Sequence, residues 1–167
     1  SWKLQGDIFQ KKDLKEISRF ILKSKKFTQG HKVDEFEDKF SKWNNSKFSL
    51  FVNSGSSADF LIVNTAKELF GWKDGDEIIV PSLTWPTQIS SVTQNGLKPI
   101  FIDCNLEDLS LNYQTIEQNI TKKTKAIFLA HIMGFPSNIK KIKKIIKKYN
   151  IKILVVCCVS IGARYPN

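Results

Sequence analysis

The sequence predicts an α/β fold in which a mainly parallel sheet is flanked by helices. After residue 45, short apolar runs alternate with amphipathic segments, which is typical of repeated strand–helix units. The runs at 124–130 and 151–156 are almost continuously apolar, as expected for strands that are covered on both faces. Turn signals such as GWKDGD at 71–76 separate the segments.

The first 45 residues have a different pattern from the rest of the chain. Apolar residues recur at helical spacing within 13–23 and again within 32–43, with charged residues between them. We therefore predict an N-terminal helical segment at 1–45, followed by a sheet-containing domain at 46–167.

Each later element is predicted from its own periodicity and from the turn residues that bound it. The predicted strands span 47–52, 77–81, 98–102, 124–130 and 151–156. The predicted helices span 56–70, 86–95, 113–119 and 138–149.

Length and composition limit the class of protein. The chain has 167 residues, 41% of them hydrophobic, which suits about one domain with a core. It contains no apolar run of ~18 residues and no signal-peptide pattern, so we expect a cytoplasmic protein without membrane association. The three cysteines and two histidines lack the spacing of a zinc site, so no metal is predicted.

The formal net charge of +10 comes almost entirely from lysine. The densest lysine group, at 140–148, has the spacing of a solvated helix face. Arginine, which nucleic-acid readers use for bidentate contacts, occurs only twice. We therefore predict no nucleic-acid partner, whereas the positive charge would help to attract a small anion.

The turn Asn53-Ser54-Gly55-Ser56-Ser57 joins a predicted strand to a predicted helix. Free N–H groups at a helix start attract anions, Gly55 allows close approach of a ligand to the backbone, and Ser56 and Ser57 add hydroxyl donors. A phosphate cradle is one interpretation of this turn. Simple capping of the helix by Ser54 or Ser56 is the other.

Two further segments follow predicted strands and so fall at the same edge of the sheet. Trp85, in PSLTWPT, could stack on a planar ring, or it could pack in the core. His131, in AHIMGFP, could act as an acid or base, or it could be an ordinary polar residue at a strand end.

Taken together, these segments resemble the pyridoxal-phosphate-dependent nucleotide-sugar aminotransferases of the DegT/DnrJ/StrS type, a family that includes sugar 3-dehydratases. The similar segments are FTQGHKVDEFEDKF, NSGSSA, KDGDEIIVPSLTWPT, QNGLKPIFIDCN, TKKTKAIFLAHIMGFP and CCVSIGARY, in that order. The resemblance implies that the fold is part of the aspartate-aminotransferase-like (fold type I) large domain. It also implies that 46–167 is an incomplete pyridoxal-phosphate-binding domain.

The resemblance implies a role for four residues of this chain. Gly55, Ser56 and Ser57 match the turn that holds the cofactor's phosphate, and Trp85 matches the aromatic residue that stacks on the cofactor's ring. The Schiff-base Lys, replaced by His in some dehydratases, falls beyond residue 167, so no catalytic residue is predicted within the chain. The small C-terminal domain is expected to be absent as well.

The chain departs from the family at three polar positions. Val155 and Val156 stand where the family has an acidic pair, and Val159 stands where it has Gln or Glu. The second acidic residue, matched here by Val156, is the Asp that pairs with the cofactor's ring nitrogen and keeps it protonated. We expect an apolar residue there to weaken cofactor binding.

The resemblance implies an N-terminal fragment of a nucleotide-sugar aminotransferase or 3-dehydratase of polysaccharide or deoxysugar biosynthesis. Its partners would be a nucleotide-linked keto-sugar, an amino donor and a second copy in a homodimer. This chain alone is expected to be inactive. The alternatives are a non-catalytic binding module on the same scaffold and a generic phosphate- or nucleic-acid-binding α/β domain.

Overall fold

The computed structural model describes residues 9–163. The chain divides into two compact units, residues 1–51 and 52–167. The predicted boundary at residue 45 stays a prediction. Among the described residues, no helix is both long enough and apolar enough to cross a membrane.

The first unit contains two helices, α1 (Lys11–Lys23) and α2 (His31–Asn44). Helix α2 ends at Asn45, which adopts the left-handed conformation with φ 52°. The chain that follows runs without regular secondary structure, and the N–H of Phe51 donates to Glu37 Oε1 at 2.7 Å. The predicted strand at 47–52 is therefore wrong for the described residues, because no neighbouring strand supplies the ladder of backbone hydrogen bonds.

The second unit contains a four-stranded parallel sheet with the strand order β2-β1-β3-β4. Helices α3 and α4 pack on one face of the sheet and α5 packs on the other. The regular elements, in chain order, are α3 (Gly55–Phe70), β1 (Glu77–Pro81), α4 (Pro86–Gln94), β2 (Lys98–Ile102), β3 (Thr124–Ala130), α5 (Ile139–Ile146) and β4 (Lys152–Val156).

Alternation along each strand sends side chains to two separate apolar clusters. Val80, Phe128 and Leu154 join the cluster beneath α3 and α4. Ile79 and Ile127 join the cluster on the other face, which also contains the apolar side chains of α5. Both faces are covered, which explains why these strands are almost continuously apolar in sequence.

Helices α3 and α4 run in the same direction. Near the start of each helix, Thr87 Oγ1 donates to Asp59 Oδ2 at 2.8 Å. Near their ends, Lys67 Nζ donates to the carbonyl of Asn95 at 2.7 Å. Because α4 starts just after the carboxyl end of β1, the start of α3 also lies at the carboxyl edge of the sheet.

The structure confirms the α/β class and the parallel sheet. The strands at 77–81, 98–102 and 124–130 are found as predicted, and the last strand begins one residue later than predicted. The predicted helix at 113–119 is wrong, because only Glu117–Asn119 forms a 3₁₀ turn there. The neighbouring Tyr113 is held instead by tertiary bonds, since its hydroxyl donates to Asp108 and accepts from the N–H of Asn138.

Candidate functional site at the carboxyl edge of the sheet

The chain order reverses between β1 and β3, which are neighbours in the sheet. From β1 the chain crosses to β2 on one side, and then returns past β1 to β3 on the other. Such a reversal opens a crevice beyond the carboxyl ends of the two strands, where open α/β sheets bind their ligands. The segments that follow β1 and β3 carry Trp85 and His131, so both predicted candidates lie at this crevice.

The start of α3 is capped and still open to a ligand. The N–H of Ser57 donates to Ser54 Oγ at 3.2 Å, so the predicted capping role falls to Ser54. Among the described residues, no acceptor is bonded to the N–H groups of Gly55 or Ser56, and both residues are exposed. Capping and anion binding are thus compatible here, because they use different N–H groups.

The indole of Trp85 stands at the start of α4. Trp85 is the N-cap residue of that helix, and Pro86 fixes the backbone of its first turn. Its side chain is 61% exposed, so the alternative in which Trp85 packs in the core is wrong. An exposed ring beside a crevice is available to stack on a planar ligand.

Buried polar side chains hold the starts of α3 and α4 in place. Thr84, next to Trp85, donates its hydroxyl hydrogen to Gln88 Oε1, and Gln88 Nε2 donates to the carbonyl of Phe128 at 3.4 Å. Asp59 is buried and bonded to Thr87, and burial raises the pKa of its carboxyl.

The sequence prediction did not include Asp59 or Gln88, although a signal was present. Asp59 precedes the buried Val63 at helical spacing, and Gln88 precedes the buried Val92 in the same way. A polar residue on the apolar stripe of a helix indicates a buried hydrogen-bonded group.

His131 lies directly after β3 and is half-buried. The N–H of Ser137 donates to His131 Nδ1 at 3.1 Å, so Nδ1 is the acceptor and Nε2 carries the hydrogen of the neutral ring. Burial lowers the pKa of the imidazole, which favours the neutral form. No described carboxylate is bonded to the ring. These contacts agree with a polar residue at a strand end and leave the acid–base role a prediction.

Two of the three positions occupied by valine, Val155 and Val156, end β4, and the third, Val159, follows it at the same edge. Val156 pairs with Ala130 in the sheet and packs against the apolar cluster beneath α3 and α4. Its side chain therefore faces the side of the sheet on which the starts of α3 and α4 lie. Val159 follows in a 3₁₀ turn and is 53% exposed.

Two other grooves lie away from Trp85. One, of about 500 Å³, is lined by residues that follow β2, including Asp103 and Tyr113. The other, of about 590 Å³, lies at the opposite edge of the sheet and is lined by five lysines. Two of these lysines are already engaged, since Lys148 forms an ion pair with Glu117 and Lys125 with Asp76.

The parallel sheet, the open N–H groups at the start of α3 and the exposed Trp85 at the switch point define the class of protein as an open α/β fold with a candidate ligand site at its carboxyl edge. The sequence model of the DegT/DnrJ/EryC1/StrS aminotransferase family matches residues 8–167, and the chain belongs to this family. The relatives include a nucleotide-sugar 3-dehydratase and a nucleotide-sugar transaminase.

Two curated relatives illustrate the similarity. The chain is 36% identical over 151 residues to GDP-4-keto-6-deoxy-D-mannose 3-dehydratase of Escherichia coli O55:H7. This match covers 88% of this chain and 38% of the relative. It is 32% identical to GDP-perosamine synthase of Escherichia coli O157:H7, with 83% of this chain and 37% of the relative covered. The chain thus spans about two fifths of the length of these relatives.

A solved structure supports the same assignment. The E. coli GDP-4-keto-6-deoxy-D-mannose-3-dehydratase with bound hydrated pyridoxal phosphate superposes with a TM-score of 0.92 at 33% identity. The match covers 100% of this chain and 43% of that chain. Both the predicted family and the predicted fold type are therefore confirmed.

Proposed function

We propose that this chain binds pyridoxal phosphate at the carboxyl edge of its sheet. The phosphate would accept hydrogen bonds from the open N–H groups of Gly55 and Ser56 and from the hydroxyls of Ser56 and Ser57. The ring would stack on Trp85. The observation that carries the proposal is the pair of unbonded N–H groups at the start of α3, at the same edge as an exposed indole.

The residues fit one part of this cofactor and not another. The phosphate and the ring face have suitable partners in the start of α3 and Trp85. The ring nitrogen has none at the end of β4, where Val156 offers only methyl groups. When protonated, this cofactor acts as an electron sink for bonds next to an amine carbon.

For the whole protein we propose a cytoplasmic enzyme that aminates or dehydrates a nucleotide-linked keto-sugar, with an amino acid as amino donor. Relatives that are named as a 3-dehydratase and as a transaminase support this reaction class. We also propose a homodimer. A second candidate function is a binding module that keeps the scaffold without the chemistry, and the three valines at 155, 156 and 159 favour it.

Fluorescence titration tests the cofactor proposal. Pyridoxamine phosphate is the suitable probe, because it has no aldehyde to react with the many lysines of this chain. We expect saturable quenching of tryptophan fluorescence that disappears in Trp85→Ala and persists in Trp43→Phe, since the proposed site does not include Trp43. Pyridoxamine without phosphate should bind at least tenfold more weakly, because it cannot use the start of α3.

Quenching that persists in Trp85→Ala would contradict the placement of the ring. Equal binding with and without phosphate would contradict the role of Gly55 and Ser56. Salt-sensitive binding of an oligonucleotide, without any quenching by the probe, would instead support the phosphate- or nucleic-acid-binding alternative.

A further inference from the structure

The end of β4 presents an apolar surface to the candidate cofactor site. Val156 is the last residue of the strand, and its carbonyl accepts a hydrogen bond from the N–H of His131 at 3.1 Å. Its side chain packs against the cluster that includes Val63 and Val92, the buried residues of α3 and α4. A ligand between these helix starts and the sheet would therefore meet the methyl groups of Val156.

Carboxylates elsewhere at this edge are distant or already engaged. Asp103 follows β2, three strand spacings from β4, which is about 14 Å across the sheet. It accepts hydrogen bonds from the N–H of Cys104 and from Ser82 Oγ. Asp59 is buried and accepts from Thr87. Asp103 is therefore too far away to receive a proton from a ring beside Val156, and the described bond of Asp59 is to Thr87.

Burial shifts the pKa of three titratable groups around this edge toward their neutral forms. Burial raises the pKa of Asp59 and of Cys157, and it lowers the pKa of His131. All three shifts have the same main cause, which is loss of water around a charged form. A protonated ring nitrogen would be a further charge in the same surroundings, and no anion at the end of β4 would offset it.

We propose that this site recognises flat aromatic phosphate monoesters by their phosphate and ring face. Val156 leaves the ring nitrogen unprotonated and without a hydrogen-bond partner. This inference rests on the proposed function, because it places the same ligand on the start of α3 and on Trp85. It predicts a site that binds the cofactor class but does not distinguish a ring nitrogen from a ring carbon.

The test compares two probes that differ at one atom. Pyridoxamine phosphate is titrated against its deaza analogue, in which a C–H group replaces the ring nitrogen. We expect dissociation constants that agree within about twofold, because no group at Val156 bonds to that atom. In Val156→Asp, pyridoxamine phosphate should bind about tenfold more tightly than the analogue, since a charge-assisted hydrogen bond becomes available.

Val156→Asn is the matched control, because its side chain has the shape of Asp without the charge. It should give a much smaller preference than Val156→Asp. The two-probe comparison on the unmodified chain needs no variant, so the proposal stays testable if Val156→Asp does not fold.

The outcomes separate the two proposals. Equal binding of both probes, lost in Trp85→Ala, supports both. Tight binding of pyridoxamine phosphate with at least tenfold weaker binding of the analogue overturns this inference and leaves the proposed function intact. Quenching by neither probe overturns both. No preference in a folded Val156→Asp variant shows that Val156 does not face the ring nitrogen, and also overturns the inference.

Discussion

At the scale of single residues, the serines at the start of α3 have two separable tasks. Ser54 caps the helix through the N–H of Ser57, whereas Ser56 is exposed and makes no bond to another described side chain. A cap contributes to stability whether or not a ligand is bound, and an exposed hydroxyl beside open N–H groups contributes only when an anion is present. Stability and binding should therefore respond to different serines.

We predict that Ser54→Ala lowers the free energy of unfolding by about 1 kcal/mol. Ser56→Ala, two residues away, should change stability by less than about 0.5 kcal/mol but weaken pyridoxamine phosphate binding several-fold. Urea unfolding and fluorescence titration of both variants measure the two effects. If Ser56→Ala lowered stability as much as Ser54→Ala, the assignment of the cap to Ser54 would be wrong.

Asp59 gives a second prediction at this scale, through pH. Burial raises its pKa in the folded chain, so the folded state binds a proton more tightly than the unfolded state does. The folded state therefore loses stability as pH rises from the unfolded pKa of about 3.9 through the folded pKa. Asp59→Asn should be more stable than the unmodified chain at neutral pH, and the two should converge in acid.

Asp74 supplies a control of opposite sign. Its pKa is lowered by the hydrogen bond and charge of Lys67, and its side chain is exposed. Any contribution of this ion pair to the stability of the folded state is present at neutral pH and is lost as pH falls through the lowered pKa of Asp74. Asp74→Asn should therefore not stabilise the chain at neutral pH. Thermal melts of both variants from pH 3 to pH 7 test the pair. Equal responses would refute the assignment of the Asp59 shift to burial.

At the scale of elements, α4 connects the candidate site to the sheet. Gln88, in its first turn, is 1% exposed and joins Thr84, beside Trp85, to the carbonyl of Phe128 in β3. Trp85 itself is exposed, so the position of its indole depends on the residues on either side of it. Gln88 is therefore a positioning residue for the indole.

We predict that Gln88→Leu weakens pyridoxamine phosphate binding several-fold and makes Trp85 more accessible to a neutral quencher such as acrylamide. The substitution keeps the side chain's size but removes both hydrogen bonds, which leaves Thr84 without its partner. Gln94→Leu is the control, because Gln94 is exposed at the end of the same helix. If both variants bind the probe like the unmodified chain, Gln88 has no positioning role.

The elements also show what the sequence could predict. Strands β1 and β3 lie in the middle of the sheet with both faces covered. The ends of their apolar runs therefore predict the ends of the strands. The segment at 47–52 has a similar run, but a strand also needs a partner, and pairing is not encoded locally. Phe48 and Leu50 are accordingly 77% and 74% exposed.

The candidate site was predictable to the same extent. Turn chemistry identified the start of α3, and the position after a strand identified Trp85, because both signals are local. The bond from Asp59 to Thr87 spans 28 positions and the one from Gln88 to Phe128 spans 40, so neither partner could be read from neighbouring residues. Long-range polar contacts need the fold before they can be assigned.

At the scale of the whole molecule, burial is distributed unevenly between the two units. The described buried hydrophobic residues all lie in the second unit, and Ser41 is the single buried residue described in the first. Helix α1 buries no residue, although Leu14, Ile17 and Ile21 form an apolar stripe along it. An exposed apolar stripe promotes association, whereas a net charge of +10 opposes it.

These opposing terms predict salt-dependent self-association of the chain. Salt screens the repulsion between positively charged copies and leaves the attraction between apolar surfaces in place. Sedimentation velocity should therefore show larger species as sodium chloride rises from about 0.05 M to about 0.5 M, where the Debye length shortens from more than 10 Å to less than 5 Å.

Leu14→Gln combined with Ile17→Gln should reduce this association. Lys12→Gln, on the opposite face of α1, should leave it unchanged or increase it. A monomer at both salt concentrations would show that the exposed stripe is too small to drive association.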